Sequence, residues 1–230
     1  MPDRFVHIVD DDPQIREATR FLLQAHSIAS QTYESGYDFL DRATLDRGVA
    51  LLDLRIGNPD GLEVLRQLRT AGCPMPVVLV SGHGTIGIAV HAIKLGATDF
   101  IEKPYQEEAL LKSLGRAFAI GPIAKQQHQT RVSATRVVEA LSPRQRQILQ
   151  GMVAGETNKV MARRIGISPR TVETHRAHLL HRLGAANISE AIRIANAAQL
   201  DDVIARARLN DVPAIRLAGL AVDRQWQLAL

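Results

Sequence analysis

Asp10, Asp11, Asp53, Ser81 and Lys103 have side-chain types that together can handle a phosphoryl group. Each follows a short apolar run: Phe5-Val6-His7-Ile8-Val9, Val49-Ala50-Leu51-Leu52, Val77-Val78-Leu79-Val80, and Asp99-Phe100-Ile101 with Glu102. Runs of this length, bounded by turn residues, predict strands buried on both faces of a parallel sheet. Open α/β sheets bind ligands just outside the carboxyl ends of such strands. Carboxylates gathered there cannot all stay ionised at close range without a cation. Oxygen ligands with no His or Cys among them favour a hard ion, Mg²⁺ above all. Asp53 is then a candidate nucleophile, because a carboxylate can form an acyl phosphate. Lys103 can pair with one phosphoryl oxygen and the Ser81 hydroxyl can donate to another. Taken singly, a strand-end Asp is usually a cap and a lysine before proline an ordinary surface residue. Four complementary groups on one edge are much harder to dismiss.

The elements that must position these groups alternate. Helices are predicted from Pro13 to His26 behind the N-cap Asp12, from Ser35 through Leu45, over Gly61–Arg69, over Thr85–Leu95, and from beyond Pro104 through Phe118. Ile28 to Tyr33 is a weak further strand. Strand and helix alternate five times, which predicts an α/β fold, a doubly wound five-stranded parallel sheet, over residues 1–120. Gly121-Pro122 is expected to break the last helix, leaving the polar stretch 121–139 as a linker with room for part of a helix.

At 230 residues the chain has room for two domains. Residues 1–120 carry 16 acidic against 12 basic side chains, and residues 121–230 carry 8 against 16, so only the second half is suited to a polyanion. Aromatic residues are scarce, at 4%, so the cores must be mainly aliphatic. The single cysteine, Cys73, excludes an intramolecular disulfide. There is no apolar signal core and no run of membrane-spanning length, which gives the expectation of a cytoplasmic protein without membrane contact.

From Leu141 the alternation stops and a small all-α domain is expected over residues 140–198. Ser142-Pro143-Arg144-Gln145 is a capping-box start. Asn158–Ile165 and Pro169–Leu183 are helices joined by Gly166-Ile167-Ser168, a helix-turn-helix. On the second, Val172, Leu179, Leu180 and Leu183 define a buried side. Arg170, Thr171, Glu173, Thr174, Arg176, Ala177 and His178 lie mainly around the other faces, as a helix entering the major groove requires. Periodicity alone fits any small helical bundle equally well. Residues 199–230 form an extension of unknown role, with Leu200, Val203, Ile204 and Ala207 able to continue a helix and Ile215, Leu217, Leu220, Val222 and Trp226 able to pack.

Ile8-Val9-Asp10-Asp11, Leu51-Leu52-Asp53-Leu54-Arg55, Val80-Ser81-Gly82-His83-Gly84 and Asp99-Phe100-Ile101-Glu102-Lys103-Pro104 closely resemble the receiver domains of two-component response regulators. Leu141-Ser142, Gly155, Asn158-Lys159, Ala162, Ile167-Ser168, Thr171-Val172-Glu173, His175-Arg176 and Leu183-Gly184 resemble the LuxR-type DNA-binding domain. Together the chain is similar to a response regulator of the FixJ/NarL type. The resemblance implies Asp53 as phosphoacceptor, with Mg²⁺ held by Asp10, Asp11, Asp53 and the backbone carbonyl of Arg55. It implies Ser81 as the switch hydroxyl, Phe100 as the aromatic that turns with it, and Lys103 as the phosphate partner. In the second domain it implies phosphate contacts from Lys159, Thr171 and Arg176, with Glu173, Thr174 and Ala177 facing base edges. Arg170 and Arg182 are added as phosphate contacts from charge and position. The implied partners are a sensor histidine kinase, double-stranded DNA, and a second copy of the chain on phosphorylation. No enzymatic activity is expected beyond the receiver's own phosphotransfer and dephosphorylation.

Three departures touch this pattern. The loop Ile56-Gly57-Asn58-Pro59-Asp60-Gly61 carries its proline at 59, where the family usually has it at the position of Gly57. Gln145 replaces the usual glutamate, and Thr85 stands where relatives often have aspartate. Two rival readings stay open. A Mg²⁺-dependent phosphohydrolase would need a second aspartate at position 55, where Arg55 stands; the other is a DNA-binding or protein-contact output independent of phosphorylation.

Overall fold

The computed structural model describes residues 4–82 and 85–210, with side chains described as far as residue 205. His83, Gly84, the side chain of Ala207, and Ile215, Leu217, Leu220, Val222 and Trp226 lie outside the described residues. The chain divides into two units, the first ending at Gln129 and the second beginning at Thr130.

In the first unit five parallel strands, β1 (Phe5–Val9), β2 (Ala29–Tyr33), β3 (Val49–Asp53), β4 (Val77–Ser81) and β5 (Asp99–Glu102), lie in the order β2-β1-β3-β4-β5. Helices α1 (Pro13–Ala25), α2 (Gly36–Arg42), α3 (Gly61–Thr70), α4 (Ile86–Leu95) and α5 (Glu107–Glu139) connect or follow them. Successive strand residues point to opposite faces, and both faces are covered. Val49, Leu51, Val78 and Val80 join Leu23, Leu110, Leu114 and Ala117 in one core. Ala50, Leu52, Val77 and Leu79 join Phe39, Val64, Leu65, Leu68 and Ala92 in the other. This double burial explains why β1, β3 and β4 read as near-continuous apolar runs.

His7 is an exception within those runs. It is fully buried on β1 among Phe5, Tyr33 and Phe39, with Nδ1 2.9 Å from the Tyr33 hydroxyl and Nε2 3.2 Å from the Arg47 carbonyl oxygen. A carbonyl only accepts, so Nε2 carries the hydrogen and Tyr33 O–H donates to Nδ1. Burial pushes its pKa below the usual 6.5. The unfolded chain therefore takes up a proton that the folded chain resists. Stability should fall as pH drops from 6.5 toward the lower folded value, by at most about 1.4 kcal/mol per pH unit. Urea midpoints for the first unit at pH 7.5 and 5.5 test this: the drop should shrink in His7→Gln, and an identical drop in both proteins would count against it.

The expected break at Gly121-Pro122 is absent. α5 runs unbroken for 33 residues with Pro122 inside it, so 121–139 is helical throughout. A proline removes one backbone bond and crowds the preceding turn, about 3 kcal/mol in an exposed helix. Packing on either side outweighs it: Leu110, Leu114 and Ala117 are buried before it, and Ala134 and Val138 are buried after it in the core of the second unit. Lys125 also donates to the Asp46 carbonyl, at 2.8 Å. A smaller correction concerns α2, which ends at Arg42 instead of continuing through Leu45, because Ala43 turns to an extended conformation.

The second unit is helical: the end of α5, then α6 (Pro143–Val153), α7 (Asn158–Ile165), α8 (Pro169–Leu183), α9 (Ile188–Ala197) and α10 (Leu200–Asn210). Ser142 and Gln145 form the expected capping box in both directions, so glutamine preserves the geometry of the usual glutamate. Ile148, Leu149, Met161, Ala162, Val172, Leu179, Leu183, Ala191 and Ala195 form the core, and Leu200, Val203 and Ile204 of α10 are buried in it. The first part of the C-terminal extension is thus a structural element of this unit.

Candidate functional site

The strand order reverses between β1 and β3, and Asp10 and Asp53 flank that point at the carboxyl edge. Asp53 is the last residue of β3 and is buried. Asp10 follows β1 and is buried, while Asp11 is exposed. Carboxylate oxygens of Asp10, Asp11 and Asp53 all lie within 4.8 Å of one another. Lys103, half-buried beyond β5, places Nζ 2.5 Å from Asp10 Oδ2 and 3.4 Å from Asp53 Oδ2. The Lys103–Pro104 peptide is cis. Asp10 is further fixed by the Asp12 amide on Oδ1, at 3.0 Å, and by Arg16 Nη1 on its carbonyl, at 2.6 Å.

Burial raises the pKa of Asp53; Lys103 pulls it down and Asp10 pushes it up again, and the net direction is upward. Burial works against the charge on Lys103, but its hydrogen bond to Asp10 and the two carboxylates outweigh that and hold its pKa above the ordinary lysine value. The pocket thus contains more anionic groups than one lysine offsets, and every donor that could meet a cation is oxygen. That combination fits a hard divalent ion.

Ser81 is the last residue of β4 and is buried, and its carbonyl accepts from the Lys103 amide at 2.8 Å. Val77 and Leu79 belong to the core shared with Phe100, so alternation puts Ser81 on that same side of the sheet. Phe100 pairs in register with Leu79, one row below Ser81. Arg55 is exposed, two residues beyond Asp53.

The loop after β3 gives Pro59 a seat. Pro59 is buried after a cis Asn58–Pro59 bond, and any Cβ on Gly36 would lie 2.9 Å from its carbonyl oxygen and 3.0 Å from its Cγ. Gly61 comes closer still to the chemistry. A Cβ there would sit 2.4 Å from the Asp53 carbonyl oxygen, and its amide donates to the Leu54 carbonyl at 3.0 Å. Gly36, Pro59 and Gly61 had no assigned role from sequence, since a close approach between distant backbones leaves no local signal beyond the glycines themselves.

In the second unit Ser168 caps α8, accepting from the Thr171 amide at 3.0 Å, with its hydroxyl 2.8 Å from that of Thr171. Arg170, Thr171, Glu173, Thr174, Ala177 and Arg182 are exposed along α8, and Lys159 is exposed near the start of α7. Thr174 donates its hydroxyl to the Arg170 carbonyl, at 3.2 Å. Arg176 stands apart, half-buried against the start of α7, where it donates to the side chain of Asn158. His175 is half-buried.

Among the described residues, no helix is long and apolar enough to cross a membrane. Residues 6–115 match the family described as "Response regulator receiver domain" and residues 139–195 match "Bacterial regulatory proteins, luxR family". The transcriptional regulatory protein FixJ of Azorhizobium caulinodans is 40% identical over 201 residues, covering 85% of this chain and 93% of the relative. Among solved structures, the response regulator StyR matches with a TM-score of 0.62 at 29% identity, over 84% of this chain and 98% of its own. Full-length FixJ from B. japonicum matches with a TM-score of 0.51 at 32% identity, over 87% and 99%. With its acidic strand edge and its helix-turn-helix in this order, the chain belongs to the FixJ-type response regulators, phosphorylation-regulated transcription regulators that join a receiver to a LuxR-family DNA-binding domain.

Proposed function

We propose that a sensor histidine kinase transfers phosphate to Asp53 and that this drives dimerisation and promoter binding. The observation that carries the reading is the meeting of Asp10, Asp11, Asp53 and Lys103 at the switch point of the sheet. Asp10, Asp11, Asp53 and the Arg55 carbonyl would hold Mg²⁺, which screens the carboxylates from an incoming phosphate. Lys103, already paired with Asp10 and Asp53, exchanges carboxylate oxygen for phosphoryl oxygen. Ser81 then hydrogen-bonds the phosphoryl group, and Phe100 turns inward behind it.

The exposed surface that answers this shift lies within residues 86–116. Ile86, Val90 and Ile93 recur at helical spacing on α4 and are all exposed, an apolar stripe suited to a second receiver. Pairing two receivers gives two recognition helices to two half-sites and raises affinity through effective concentration. On DNA, Lys159, Arg170, Thr171, Arg176 and Arg182 contact phosphates, while Glu173, Thr174 and Ala177 face base edges. The chain performs no turnover beyond phosphotransfer to itself and loss of that phosphate, and it works in the cytoplasm where its DNA lies.

Sedimentation with a small acyl-phosphate donor tests the switch. With Mg²⁺ the chain should move from monomer toward dimer, and a chelator present from the start should abolish the change. A monomer that ignores the donor, or a shift that survives metal removal, would refute the proposal.

A further inference from the structure

Glu173 and Arg176 are three residues apart on α8, the spacing at which opposite charges on a helix pair directly. Here they meet through a third side chain from another helix. Arg176 Nη1 donates to Asn158 Oδ1, and Asn158 Nδ2 donates to Glu173 Oε1 at 3.3 Å. The amide orientation is forced: guanidinium is donor-only, so oxygen must face Arg176, and carboxylate is acceptor-only, so nitrogen must face Glu173. Asn158 itself is held in place. It is the first residue of α7, next to the cap Thr157, whose hydroxyl accepts from the Val160 amide at 3.3 Å. Met161 and Ala162 of α7 share a core with Val172 of α8.

We infer that Asn158 is a positioning residue for DNA reading: its amide keeps Glu173 and Arg176 apart so that each faces the duplex in a fixed pose. This rests on the DNA-binding role proposed above. Without the amide, the two side chains are free to close into an ion pair that cancels both charges. Alanine would remove donor and acceptor together. Aspartate would keep the acceptor for Arg176 but set a second carboxylate against Glu173.

The full-length chain with an acyl-phosphate donor, selecting from a random duplex library, provides the test. Asn158→Ala should keep its helix content, bind the wild-type consensus about tenfold more weakly, and lose preference at the positions that Glu173→Ala also flattens. In the Glu173→Ala background, Asn158→Ala should cause no further loss of preference. Arg176→Ala should lower the salt slope by about 1, and Asn158→Asp, whose carboxylate pairs with Arg176 and cancels its charge, should lower it similarly while also altering base preference. If the wild type shows no salt-dependent duplex binding, the DNA-binding reading fails and this inference with it. If the wild type binds and both Asn158 variants reproduce its affinity and preference, or their losses add in full to that of Glu173→Ala, the inference alone is overturned.

Discussion

Asp53→Ala is expected to reduce phosphate incorporation from an acyl-phosphate donor to background, a loss of at least about a hundredfold. The neighbouring carboxylates do not offer a substitute. Asp10 is buried and committed, with one oxygen on Lys103 and the other on the Asp12 amide. Asp11 is exposed and lacks the lysine. Asp53 shares burial and the lysine with Asp10, but its lysine contact is the looser one, 3.4 Å against 2.5 Å, so its carboxylate is the less committed of the two. Its raised pKa fits a group whose charge is unfavourable until a cation arrives. Lys103→Ala should retain the acceptor but slow labelling by about a hundredfold, as expected when one preorganised charge is withdrawn from a phosphoryl group. Intact-mass analysis after a timed exposure reads both. Equal stoichiometry in wild type and Asp53→Ala would place the acceptor elsewhere.

Gly61→Ala should be a strongly damaging single methyl in the receiver. The new Cβ would meet the Asp53 carbonyl oxygen at 2.4 Å, its carbonyl carbon at 3.1 Å and the Leu54 Cα at 3.0 Å, all of them backbone. A flexible side chain could step aside; the end of a central strand cannot. Either the start of α3 lifts, breaking the Gly61–Leu54 hydrogen bond, or the end of β3 shifts and carries Asp53 with it. A destabilisation of about 2–4 kcal/mol is expected, together with slower phosphorylation. Gly57→Ala is the contrast. Its φ of +83° makes alanine unfavourable, by about 1–2 kcal/mol, but nothing lies within 4 Å of the new methyl. Denaturant midpoints of the two variants should therefore separate clearly. A wild-type midpoint for Gly61→Ala would mean that the close approach is not a constraint.

The fold of the receiver was legible because its central strands β1, β3 and β4 are buried on both faces and its helices carry local caps, Asp12, Ser35, Asp60 and Thr85. The carboxylate edge was legible for the same reason: once the strands are placed, Asp10, Asp53, Ser81 and Lys103 must share an edge. What escaped depended on contacts between distant segments. Gly121-Pro122 has the local chemistry of a helix end, yet packing of Ala117 before it and Ala134 after it keeps α5 continuous. Pro59 reads as a displaced family residue, and only its seat against Gly36 shows how the altered loop is accommodated. Asn158 carries a motif position but no visible task until α7 and α8 are laid side by side. Leu200, Val203 and Ile204 have helical spacing, but their place in the second unit's core is a tertiary fact.

The account turns on Asp53 governing the helix-turn-helix. The most direct measurement is the affinity of the full chain for a selected duplex at fixed salt and Mg²⁺, with and without an acyl-phosphate donor, for wild type and Asp53→Ala. The wild type should bind at least about tenfold more tightly with the donor, through the effective concentration of paired half-sites, and Asp53→Ala should not respond. A wild type indifferent to the donor, or an Asp53→Ala protein that responds equally, would contradict the account.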